Sequence, residues 1–134
     1  MGSIQAVLRA AALAAVLCAI ARSGYGQSIL QFDRWMQRIE RRSQSVQRHI
    51  TARDAPSAVA DARDIGELYR LMEDYFQQRG DAAEAVRISN EGATLADAVV
   101  KSLESRDYEA ASRSAISIAR ACRDCHFQYK PLDP

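Results

Sequence analysis

The sequence is short of cysteine, histidine and net charge, and each shortage excludes something. Among 134 residues there are three cysteines, two histidines and a formal charge of +1. A nucleic-acid binder shows a strong basic excess, and 18 basic against 17 acidic side chains do not supply one. No apolar run reaches the roughly 20 residues needed to span a bilayer. Ala10 to Ala21 is free of charge but too short. Strand signals are missing as well, because no stretch sustains apolar–polar alternation with β-branched residues.

What is present begins with a leader. Residues 1–26 read as a secretory signal peptide: Arg9 supplies the positive start, the apolar run follows, and Gly24-Tyr25-Gly26 offers small residues for cleavage before Gln27. Cys18 lies inside that run and follows Leu17, where a lipid-attachment signal needs a small residue, so it reads as a small hydrophobe discarded with the leader. Residues 27–134 remain, a length suited to one domain with no membrane span. Arg9 and Arg22 leave with the leader, which moves the formal charge from +1 to −1.

Turn signals divide the rest into four pieces. Asp54-Ala55-Pro56 is a cap candidate with proline just inside the next helix. Gly80-Asp81 is a glycine stop followed by a cap candidate, with Glu84 placed as in a capping box. Ser105-Arg106-Asp107 is the third break, and no glycine marks it. Each piece carries a stripe of helical period. The first is Phe32, Met36, Ile39, Ser43, Val46 and Ile50, with Trp35 beside Met36. The second is Ala58, Ala62, Ile65, Tyr69, Met72 and Phe76. The third, weaker, is Val86, Asn90, Ala93, Ala96, Val100 and Leu103. The fourth is Tyr108, Ala111, Ala115, Ile118, Cys122, Cys125 and Tyr129. Short connections predict an all-α, antiparallel up-down-up-down four-helix bundle. Its alanine-rich stripes leave a thin core that a large apolar plate would fill.

Both cysteines outside the leader fall in Cys122-Arg123-Asp124-Cys125-His126, the C-x-x-C-H spacing of covalent haem attachment. Two thiols at this spacing can add to the two vinyl groups of one porphyrin, with the adjacent imidazole placed for the iron. The expected cofactor is therefore one haem c. Structural zinc needs four ligands, and His49 is the only other Cys or His of residues 27–134. A thioredoxin-like dithiol belongs to a βαβ setting that this sequence lacks. In the predicted topology Met36 and Met72 lie about 10–12 Å from the bundle end that carries the motif. Either could reach the iron opposite His126. Met36 is the first candidate, because first and fourth helices are neighbours, and Met72 is the alternative. His49 lies about 20 Å further along the first helix, which suits a solvated or locally bonded side chain. Arg34, Arg38, Arg41, Arg42 and Arg48 read as the charged outer face of that helix, with steering of an acidic redox partner as the rival reading.

With the motif near the end of a four-helix chain, the sequence resembles the class II cytochromes c, the cytochrome c′ family. The motif and its tail, Tyr129 and Lys130, carry the resemblance; the family more often has arginine where Lys130 stands. The resemblance implies thioethers at Cys122 and Cys125, His126 as proximal ligand, and Met36 facing the opposite side of the haem. It implies iron ligation by Met36 in a low-spin member and an apolar non-ligand there in a high-spin one. Phe32, Trp35, Tyr69, Tyr129 and Lys130 are candidates to pack around the haem.

The expected function is a periplasmic electron carrier, not an enzyme, exchanging single electrons with redox partner proteins. The alternative is a high-spin, five-coordinate haem that binds nitric oxide or carbon monoxide. A haem-free helical adaptor is the third class. A homodimer is a candidate assembly, and export points to a Gram-negative bacterium.

Overall fold

The computed structural model describes residues 29–129. The leader read at residues 1–26 lies outside them, as does Lys130. The chain forms four helices with no strand among the described residues: α1 (Ile29–Thr51), α2 (Ala55–Arg79), α3 (Ala83–Glu104) and α4 (Tyr108–Tyr129). Each helix packs against its sequence neighbours, and α1 closes the ring against α4. Three short connections, 52–54, 80–82 and 105–107, leave neighbouring helices no room to run parallel. None of these helices is long and apolar enough to cross a membrane.

The breaks fall where the turn signals stand, with one change of chemistry. Asp54 caps α2 by accepting a hydrogen bond from the Ser57 amide at 3.2 Å, with Pro56 in the first turn. Gly80 ends α2 in the left-handed region, φ 73°, where it has no Cβ to clash. The expected capping box at Asp81 is not formed. Ala82 occupies the cap position without a side-chain bond, because the Asp81 carboxylate pairs with Arg79 at 3.2 Å instead. At the third break Arg106 takes φ 58° where no glycine is available, and Asp107 accepts from the Ala110 amide at 2.9 Å.

The core follows the stripes of α1, α2 and α4. On α1 the most buried residues are Trp35, Ile39, Ser43, Val46 and Ile50, with Phe32 and Met36 partly buried at the open end. All six stripe residues of α2 are buried. On α3 the face is rotated from the expected one: Asn90 is exposed, while Ala85, Ile88, Ser89, Gly92 and Val99 are buried alongside Ala93, Ala96 and Leu103. Gly92 has a steric reason. A Cβ there would lie 2.6 Å from the Tyr69 ring, so the glycine is the space into which that ring fits.

Ionic contacts fix α1 against α2. Asp61 is 2 % exposed and accepts from Arg42 Nη1 at 2.8 Å, from His49 Nδ1 at 2.9 Å and from the Ser45 hydroxyl. Asp64 accepts from Arg38 Nε and Arg42 Nε, each at 2.8 Å. Two arginines of the expected outer face thus belong to a clamp between helices. His49 is bonded, though across to α2 rather than within its own helix.

Candidate functional site

Helical spacing puts Cys122 and Cys125 on the inner side of α4, with His126 turned toward α1. Along the bundle, the end of α4 lies beside the start of α1, with the end of α2 completing the layer. Of the packed pairs, α1 and α4 meet least closely. A cavity of about 580 Å³ lies at this seam. It is within the roughly 300–1,000 Å³ range of small-molecule and cofactor sites. Met36, Ile39 and Ser43 of α1, Tyr69 and Met72 of α2, and Ala119, Cys122, Cys125 and His126 of α4 line it. A second cavity of about 520 Å³ shares Met36, Glu40, Cys125 and His126, and adds Phe32, Tyr75 and Phe76. Phe32 stacks on Tyr75 at 4.9 Å and meets Phe76 edge-on at 5.4 Å.

The candidate residues separate as follows. Cys122, Cys125, His126, Met36, Met72 and Tyr69 share the first cavity, and Phe32 lines the second. Trp35 is buried in the core and lines neither. The Tyr129 side chain and Lys130 lie outside the described residues. Glu40, Gln44, Gln47 and Arg48 also line the first cavity, a polar wall that the search for apolar stripes passed over. They follow Met36 at helical spacing, which was the available signal.

Two polar atoms of the cavity lining are buried without a hydrogen-bond partner among the described residues, Ser43 Oγ and His126 Nε2. A buried polar group left unpaired costs about 1–3 kcal/mol, and no described residue offers either atom a partner. A neutral imidazole nitrogen in this condition is free to ligate a metal. No group of three His, Cys, Asp or Glu side chains that could hold a metal converges among the described residues. A metal here would therefore need ligands beyond such a cluster, such as those a macrocycle brings.

The thiols are held in their protonated form. Burial pushes both Cys122 and Cys125 above the ordinary thiol value; the Tyr69 hydroxyl, 3.2 Å from Cys122 Sγ, offsets part of the effect at Cys122. Reactive dithiols of redox enzymes show the reverse, a depressed value at an exposed sulfur. Burial likewise drives the Tyr69 phenol far above its normal range. What the arrangement offers is two sulfurs for covalent bonds, one imidazole nitrogen for a metal, and two thioethers facing an apolar space. The chain matches no protein-family model, no curated protein and no solved structure.

Proposed function

We propose that this chain is an exported c-type cytochrome that carries single electrons. One observation carries the reading: Cys122, Cys125 and His126 line a single cofactor-sized cavity with Met36 and Met72, and His126 Nε2 is buried there without a partner among the described residues. Cys122 and Cys125 would hold the porphyrin of a haem c through thioethers, and His126 would ligate its iron. Met36 is the preferred second ligand because it lines both cavities, whereas Met72 lines one. Bound haem supplies a ferric–ferrous couple. The chain's own part is to hold two ligands, favour the reduced state with a thioether, and keep water from the apolar walls. The leader would direct it to the periplasm, where redox proteins are its partners; no enzymatic step is assigned to it.

A second reading has one observation in its favour. Beyond Met36 the cavity continues past the unpaired Ser43 hydroxyl to Gln47 and Arg48. If Met36 packs without ligating, that space would admit a diatomic gas such as nitric oxide or carbon monoxide.

Oxidised and reduced absorption spectra of the exported protein separate the readings. Electron transfer predicts a low-spin spectrum with the far-red band of methionine–iron ligation, lost in Met36→Ala. Gas binding predicts a high-spin spectrum shifted by carbon monoxide. A colourless protein whose mass shows no added tetrapyrrole would defeat both.

A further inference from the structure

Charge is sorted by face across this bundle. Helices α1 and α4 carry eight arginines against four acidic residues, Asp33, Glu40, Glu109 and Asp124. Helices α2 and α3 carry five basic side chains against nine acidic ones. By helix the charge is thus +4 on α1 and α4 together and −4 on α2 and α3 together, two units of each being neutralised where Arg38 and Arg42 meet Asp61 and Asp64.

Pairing differs in the same way. Every arginine of α2 and α3 has a carboxylate partner: Arg63 with Glu104, Arg70 with Asp97, Arg79 with Asp81, and Arg87 with Glu84 and Glu91. On α1 and α4, Arg38 and Arg42 are taken by α2, and Arg113 by Glu109. Arg34, Arg41, Arg48, Arg120 and Arg123 are exposed and make no ion pair or hydrogen bond among the described residues. The first three recur every seventh residue along the outer side of α1, where Arg48, like Arg123 on α4, also borders the first cavity.

Apolar side chains stand among them. Phe127 is 91 % exposed and Ile116 41 % exposed, on the same outer side of α4 as Arg120 and Arg123. Leu30, 67 % exposed, starts α1 at the bundle end where Phe127 finishes α4. Aromatic and arginine side chains are the types enriched in protein interfaces and their energetic centres.

We propose that the outer face of α1 and α4 is a docking surface for an acidic protein partner, with Phe127 and Leu30 as apolar anchors. Charge complementarity selects the partner. The bundle is two helix layers thick, roughly 20 Å, against a screening length of about 8 Å at physiological salt. A partner at this face meets the unpaired arginines and not the net charge of the molecule. The proposal does not depend on the presence of a porphyrin.

The test is a backbone-amide NMR titration of the exported protein with a short poly-glutamate peptide at low salt. Shifts are expected along α1 and α4 and not along α2 and α3. Arg41→Glu combined with Arg120→Glu is expected to weaken binding about tenfold. Arg63→Glu with Lys101→Glu makes the same change in net charge on the opposite face and should weaken it less than about twofold. All four positions are exposed, and unchanged helicity by circular dichroism verifies the folds. Equal weakening by the two pairs, or shifts spread over all four helices, would overturn the proposal. So would tighter binding to phosphatidylglycerol vesicles that needs Arg41 and Arg120, which would give the face to a membrane.

Discussion

Three side chains at the cavity wall are shifted in the same direction by burial. The Tyr69 phenol stands well above its ordinary 10.0, and the thiols of Cys122 and Cys125 above their ordinary 9.0, because burial penalises the charged form of each. The unfolded chain therefore gives up these protons before the folded one does. Their contribution to stability is whole below the unfolded thiol value of 9.0 and is lost as pH rises toward the folded values. If the two sulfurs are thioethers, only the phenol still titrates, and the loss begins near its own 10.0. Denaturant midpoints from about pH 8 to about pH 11 measure the difference. A free-thiol chain with no alkaline loss would show that its sulfurs are not buried in this way. The residues of this wall and of the α1–α2 clamp were unequally legible in the sequence. Spacing alone exposed Cys122, Cys125 and His126, and topology brought Met36 and Met72 to their level. Asp61 was invisible, since a carboxylate becomes a core residue only when donors from another helix, here Arg42, Ser45 and His49, converge on it. Glu40, Gln44 and Gln47 were hidden by their polarity.

At the scale of elements, legibility followed contrast. The α2 stripe could be read because large apolar residues alternate sharply with charged ones. In α3 small residues occur all round the helix, so Ala93 and Ala96 fit more than one face and the true face was read only in part: Ala93, Ala96 and Leu103 are buried, Val86 and Val100 pack at its edge, and Asn90 is exposed. Ser89 is buried there by donating to the Ala85 carbonyl at 2.7 Å, and Gly92 by accommodating the Tyr69 ring. The connections are a second case. Arg53 and Arg106 both have positive φ, at 57° and 58°, a conformation that costs a residue with a Cβ about 1–2 kcal/mol. Arg53 has compensation: its guanidinium lies 5.4 Å from the centre of the Tyr108 ring, and its carbonyl accepts from the Tyr108 hydroxyl at 3.4 Å. Arg106 has no such side-chain contact among the described residues. Arg106→Gly is expected to stabilise the protein by about 0.5–1 kcal/mol, and Arg53→Gly by less. Thermal and denaturant melts of the two variants check the order. A loss of stability in Arg106→Gly would show that its side chain contributes something not visible here.

For the molecule as a whole, the packing is uneven in a way that concerns the site. Three of the four helix pairs are sequence neighbours, formed by closing short turns; α1 against α4 is the exception and is also the loosest. Closing a long loop carries more entropy loss than closing a short one. The seam is therefore expected to open while the α2–α3 hairpin is still intact, as a sub-global event. Hydrogen exchange of the chain without a bound prosthetic group should be fastest at the amides of α1 and α4 near the cavity and slowest along α2 and α3. Uniform protection across the four helices would contradict this. A clamp of Arg38, Arg42, Asp61 and Asp64 joins α1 to α2 and leaves α4 the freer partner. Of the four helices α4 emerges after the other three, so the groove has no second wall, and nothing can be seated in it, until α4 has been made.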